Sequence, residues 1–135
     1  MAHLRSYWLA YAWALVILIL CLIPGKDLPQ WSWADMLSLD KPAHAVLFGL
    51  LALCIYLGFL RQHGKKASRS KGVALALVVS TVYGVATEIM QGTLLTDRVA
   101  DPLDQLANMV GIGATWFVIV REIGAKYWMP KHIPD

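Results

Sequence analysis

The feature that most constrains this chain is a run of 20 residues, from Ser6 to Gly25, without a charged side chain. Twenty residues of α-helix are about 30 Å long, which matches the hydrocarbon thickness of a bilayer. Three further apolar runs follow, near residues 42–60, 72–96 and 103–120. His44 and Glu88 interrupt the first two of these runs, and Asn108 lies within the last. A chain with four such runs is expected to fold within a membrane.

The composition supports this interpretation. Apolar residues make up 58% of the 135 residues and charged residues 16%, whereas soluble domains average about 45–50% and about 25%. These values exclude a soluble or disordered chain, and two cysteines exclude a disulfide scaffold. The net charge of +3 does not indicate a nucleic-acid partner, because the basic residues lie between the apolar runs instead of forming a patch.

The four runs predict an all-α polytopic membrane protein, with four transmembrane helices in a bundle and a single domain over residues 1–135. The predicted spans are roughly residues 6–25, 42–60, 72–95 and 103–120. Asp40 is expected to cap the second span, with Pro42 in its first turn. Gly111 and Gly113 are expected to let the fourth span approach a neighbouring helix closely. No small-residue cleavage site follows the first span, so we expect it to remain as an anchor.

Basic residues predict the orientation of the spans. Five of them lie between the second and third spans, whereas Lys26 and Lys41 follow the first span and Arg98 alone follows the third. Lys and Arg resist translocation. The sequence therefore predicts a multi-pass protein of the bacterial inner membrane with both termini in the cytoplasm and the loop around Arg98 outside.

Polar residues within the spans fall on single helix faces. Asp101, Asp104 and Asn108 are followed on one face of the fourth span by Gly111 and Thr115, within an arc of about 80°. The third span carries Gly84, Glu88 and Gln91 on one face, and the second carries Lys41, His44 and Phe48. Charged groups in hydrocarbon are costly unless they face a cavity or a partner. We therefore expect one outward-facing pocket, formed by Asp40, Lys41, His44, Glu88, Gln91, Arg98, Asp101, Asp104 and Asn108.

The order and spacing of these residues resemble a known family. The set comprises Asp40, Lys41, His44 and Phe48, then Tyr83, Gly84, Glu88 and Gln91, then Arg98, Asp101, Asp104, Asn108 and Gly111. In order and spacing it is similar to the polar positions of the VanZ-like family of small bacterial membrane proteins. The resemblance covers residues 36–120, with Pro102 between the two aspartates as a local variation. The founding member is associated with resistance to the glycopeptide teicoplanin. The resemblance implies a role in the cell envelope and in glycopeptide resistance, without a defined reaction.

One class of function that fits such a pocket is an enzyme acting on a lipid-linked or phosphate-bearing envelope substrate. The candidate catalytic residues are His44, Glu88, Gln91, Asp101 and Asp104, and the candidate substrate-binding residues are Asp40, Lys41, Arg98 and Asn108. Lys41 and Arg98 would hold anionic oxygens, while Glu88 and His44 would exchange protons. Water attack on a metal held by His44, Glu88 and Asp101 or Asp104 would replace a missing nucleophile. A single histidine gives little support for a metal, and no cofactor is expected.

Two further classes stay open. A non-catalytic protein would use the same pocket to bind a lipid headgroup, a lipid-linked envelope precursor or the apolar tail of a lipoglycopeptide. Alternatively, the polar side chains would form a purely structural network that holds the helices together. A transporter is disfavoured because the polar set lies at one end of the bundle. Membrane lipids are the expected surroundings, and the sequence sets no oligomeric state.

Overall fold

The chain is helical throughout the part that its computed structural model describes, which comprises residues 5–23, 33–95 and 101–128. The helices are α1 (Trp8–Cys21), α2 (Trp33–His63), α3 (Arg69–Leu94) and α4 (Pro102–Trp128), with a 3₁₀ turn at Gly64–Lys66 between α2 and α3. These residues form four helices and contain no strand. The predicted all-α class is therefore confirmed.

The helix boundaries agree with the predicted spans in part. The third span is α3, and α4 begins one residue before the predicted start of the fourth span and continues to Trp128. The prediction for α2 is wrong: Pro42 lies inside this helix, and Asp40 is helical instead of capping it. A proline disfavours helical backbone at the residue before it. Here that residue is Lys41, whose side chain is held by ion pairs to the start of α4.

The second helix is the centre of the bundle. It packs most extensively against α4, then against α3 and α1, whereas α1 makes a smaller contact with α3. The core contains the fully buried side chains of Ile17, Phe48 and Leu51. Cys21 and Cys54 are not joined by a disulfide.

The contact between α2 and α4 depends on backbone proximity. A Cβ atom at Gly111 would overlap the Ala45 carbonyl oxygen and lie 2.7 Å from Ala45 Cα. Thr115 Oγ1 donates a hydrogen bond to Gly49 O at 2.9 Å, one turn further along both helices. Gly111 therefore permits close approach, as predicted. The prediction was wrong for Gly113, because a Cβ there would meet no atom within 4 Å.

Two helices are long and apolar enough to cross a membrane. The segment Asp40–His63 has 24 residues and a mean hydropathy of 2.2, and Arg69–Leu94 has 26 residues and a mean hydropathy of 1.8. Over the described residues, α4 does not meet the same criterion, and α1 is a shorter apolar helix. The outer surfaces of α1, α3 and α4 expose large apolar side chains, among them Leu15, Ile19, Val78, Val82, Ile89, Leu106, Val110 and Phe117.

An apolar cleft of about 380 Å³ lies between α1, α2 and α3. Tyr7 and Tyr11 line it from α1, Leu51 and Ile55 from α2, and Val79 from α3. It is separate from the polar residues of the predicted pocket, none of which contributes to its lining.

Candidate functional site

The start of α4 is fixed by an aspartate and a proline. Asp101 Oδ1 accepts a hydrogen bond from Leu103 N at 2.8 Å, and Asp101 O accepts one from Asp104 N at 3.0 Å. Pro102 is the first residue of the helix, a position where its missing N–H costs little. This N-terminal cap places Asp101 and Asp104 at the same end of the bundle, facing α2.

Lys41 joins the two aspartates to α2. Its Nζ donates to Asp101 Oδ2 at 2.7 Å and to Asp104 Oδ1, and lies 3.7 Å from Asp40 Oδ2. The pKa of the Asp101 carboxyl is lowered, chiefly by the hydrogen bond from Lys41 and then by the one from Leu103 N. The ammonium group is thus already shared among carboxylates, which leaves it poorly placed to hold a substrate phosphate by itself.

His44 and Asn108 form the buried floor of the cluster. His44 Nδ1 donates to Asn108 Oδ1 at 3.0 Å, and Asn108 Nδ2 donates to Gln105 Oε1 at 3.3 Å, so each amide atom has a suitable partner. His44 Nε2 then faces Asp40 Oδ1 and Asp104 Oδ2, each 3.9 Å away. Nε2 is therefore the ring nitrogen that faces the carboxylates, and at these distances it forms no hydrogen bond with them.

Glu88 approaches the same cluster from α3. Its side chain is buried, and Oε2 accepts a hydrogen bond from Asp101 N at 3.3 Å. The other oxygen, Oε1, is buried without a hydrogen-bond partner among the residues that the structure describes. The carboxyl also interacts electrostatically with Asp104 and His44. The expected proximity of Glu88 to the start of α4 is therefore observed at Asp101.

The balance of charges in this cluster is negative. Among the described residues, the carboxyl groups of Asp40, Asp101 and Asp104 lie within 3.7 Å of the single ammonium group in the cluster, that of Lys41. Glu88 adds a fourth carboxyl group, which contacts Asp101 N. Such a site attracts cations more readily than anions.

One residue of the predicted pocket stands apart from the cluster. Gln91 is buried, but its Nε2 donates to Cys21 O at 2.9 Å, so its amide ties α3 to the end of α1. Arg98 lies outside the described residues. Gln105 was not among the predicted pocket residues, although its position three residues before Asn108 on the same helix indicates the contact between them.

Comparisons with models of protein families, with curated proteins and with solved structures found no match for this chain. The assignment to the VanZ-like family therefore stays a prediction from the sequence.

Proposed function

We propose that this chain is a VanZ-like, multi-pass protein of the bacterial cell envelope that recognises the headgroup of a lipid-linked substrate. All four helices would cross the inner membrane, with both termini cytoplasmic and the polar cluster outward. The observation that carries the proposal is the position of the cluster. Polar side chains of α2, α3 and α4 meet at one end of a bundle whose outer surface is apolar.

The pattern of exposure supports a membrane location. Only 44% of the apolar window in α2 and 28% of that in α3 is buried within the chain, whereas a core helix of a soluble protein is mostly buried. Val78, Val82 and Ile89 are each more than half exposed on α3. An apolar surface of this extent in water marks an interaction site or a liability to aggregate. In a bilayer it would simply face lipid.

Chemistry in the cluster would centre on proton exchange. With Nδ1 donating to Asn108, His44 keeps a basic nitrogen directed at the carboxylates, and it can take a proton from a hydroxyl or amine group of a headgroup. Glu88, which contacts the start of α4, adds a buried carboxyl oxygen to the same cluster. We therefore favour an enzyme whose proton-transfer groups are His44 and Glu88, with Lys41 holding the aspartates in position.

A non-catalytic binder is the second candidate, and one observation favours it. Thr87, the buried hydroxyl residue one position before Glu88, donates its proton to Gly84 O at 2.8 Å and offers no activated nucleophile. A binder needs only the polar cluster and a place for an acyl chain, which the apolar cleft beside α1 would supply.

The test compares two histidines of the same helix. We expect His44→Gln and Glu88→Gln to abolish the teicoplanin resistance that the chain confers on a susceptible host, while membrane abundance and thermal stability in detergent stay close to wild type. His63→Gln is the matched control, because His63 is exposed at the opposite end of α2. Retained resistance in both cluster variants would refute the proposal, and loss of resistance together with folding would favour the structural network.

The same variants separate enzyme from binder. Extracted envelope lipids and precursors, compared by mass spectrometry, should differ between the wild type and His44→Gln if the protein transforms a substrate. Resistance that depends on His44 without any change in these molecules would identify a binder.

A further inference from the structure

Three side chains with metal-binding atoms lie together in the cluster. Asp40, His44 and Asp104 each offer one ligand atom within 4.8 Å of the other two. Asp40 and His44 are one helical turn apart on α2 and share a face, and Asp104 meets them from the first turn of α4. Carboxylate oxygen and imidazole nitrogen are common ligands of Zn²⁺ and Mn²⁺.

The distances between these atoms are close to those around a bound ion. His44 Nε2 lies 3.9 Å from Asp40 Oδ1 and 3.9 Å from Asp104 Oδ2, too far for a hydrogen bond. Ligands at about 2.1 Å from a tetrahedral Zn²⁺ lie roughly 3.4 Å from one another. A small inward movement of side chains would therefore let one ion contact all three.

The second nitrogen of His44 is fixed as it is in metal sites. A ligating histidine usually donates its other N–H to an oxygen, which selects the tautomer and the ring orientation. His44 Nδ1 does this with Asn108 Oδ1, and Gln105 in turn orients the Asn108 amide. The nitrogen left for an ion is Nε2, which faces both aspartates.

The carboxyl group of Glu88 is a second observation that points to a ligand in this cluster. Its side chain is 6% exposed, and its Oε1 atom has no hydrogen-bond partner among the described residues. The carboxyl interacts electrostatically with Asp104 and His44, two of the three potential ligands. A buried carboxyl oxygen normally has a partner, and a cation beside Asp104 and His44 would provide one.

We propose that Asp40, His44 and Asp104 bind a divalent first-row metal ion, Mn²⁺ or Zn²⁺, with Glu88 as a neighbouring carboxylate. Lys41 need not leave, because it binds Asp104 Oδ1 while Oδ2 faces His44. The ion would reduce the net negative charge of the cluster and give the site an attachment point for a phosphate oxygen. This inference goes beyond the proposed function, since metal binding can be measured without a substrate.

The experiment titrates the purified full chain, in detergent and stripped of metals, with Mn²⁺ and follows the free ion by electron paramagnetic resonance. We expect one bound ion per chain. Affinity should fall at least about tenfold in His44→Gln and in Asp104→Asn. Asp101→Asn is the matched control: it removes the same charge, but Asp101 directs its two oxygens to Lys41 and Leu103, so affinity should change less than about threefold.

Equal weakening in Asp101→Asn and Asp104→Asn would overturn the proposal, because it would show nonspecific attraction to negative charge. Absence of binding to the wild type would also overturn it.

A spectroscopic measurement on the wild type covers the case in which a variant does not fold. Pulsed electron paramagnetic resonance of the Mn²⁺-loaded chain should show nitrogen coupling from one coordinated imidazole, unchanged in His63→Gln. A bound ion without imidazole nitrogen would refute the site. Resistance that depends on His44 in a chain that binds no metal would leave the proposed function standing and remove this inference alone.

Discussion

Two glycines on the same helix provide a test of the α2–α4 contact by identical substitutions. Gly111→Ala adds a methyl group that would overlap the backbone of Ala45, whereas Gly113→Ala adds one that meets nothing within 4 Å. We expect Gly111→Ala to lower the free energy of unfolding by about 2–4 kcal/mol. Gly113→Ala should leave it unchanged or raise it by up to about 1 kcal/mol, because alanine is the better helix former.

The magnitude follows from the distances. Carbon atoms pack at about 3.5–4.0 Å, and the new Cβ would lie 2.7 Å from Ala45 Cα, so the helices must separate by on the order of 1 Å. Overpacking of this kind costs about 1–3 kcal/mol. The separation would also lengthen the hydrogen bonds Thr115–Gly49 and His44–Asn108, now 2.9 and 3.0 Å long. Each contributes about 1 kcal/mol, and the gain in helix propensity offsets part of the total.

Reversible unfolding in mixed micelles with increasing dodecyl sulfate, followed by circular dichroism, measures both variants against the wild type. The error of such comparisons is about 0.5 kcal/mol. If the free energies of unfolding of the two alanine variants differ by less than this error, α2 and α4 do not approach each other closely at Gly111.

Three further predictions concern single contacts and topology. Tyr83→Phe removes the hydrogen bond from Tyr83 to Ala14 O, 2.7 Å long, and should destabilise the chain by about 0.5–1.5 kcal/mol in the same unfolding assay; no loss would show that α1 is not held there. The lowered pKa of Asp101 stabilises the fold above the ordinary aspartate pKa, and this contribution is lost as pH falls through the lowered value. The stability difference between wild type and Asp101→Asn should therefore be constant near neutral pH and shrink below about pH 4; a constant difference down to acidic pH would contradict the Lys41 contact. A reporter fused after Asp135 should be cytoplasmic and one inserted near Trp33 external, and the opposite pattern would turn the cluster inward.

The helical periodicity of the polar residues was sufficient to predict that the polar faces of α2 and α4 meet. The spacing of Asp101, Asp104 and Asn108 placed them on one face of α4, and the structure directs that face at Lys41 and His44. A polar group in an apolar helix has few low-energy positions, so its partners are strongly restricted. This restriction is what makes the juxtaposition predictable from sequence.

Local rules failed where tertiary contacts decide the outcome. Asp40 before Pro42 is typical of a helix start, yet α2 continues through both residues, which puts Asp40 one turn from His44. Gln91 lies on the same face as Glu88, but its contact with the end of α1 depends on how that helix packs. Helix spacing does not contain this information.

The polarity of α4 has a consequence for the order in which the chain assembles. On the proposed topology, α2 and α3 are apolar enough to enter the bilayer as a hairpin by themselves, whereas α4 carries Asp104 and Asn108 into it. Asp104 and Asn108 are buried in the finished bundle, but they would face lipid if α4 left the translocon alone, at a cost of several kcal/mol. Insertion of α4 must therefore wait for α2, whose Lys41 and His44 receive the two side chains. Substitutions that remove the ammonium group of Lys41 would then be detected during biosynthesis, as chains whose last helix remains outside the membrane.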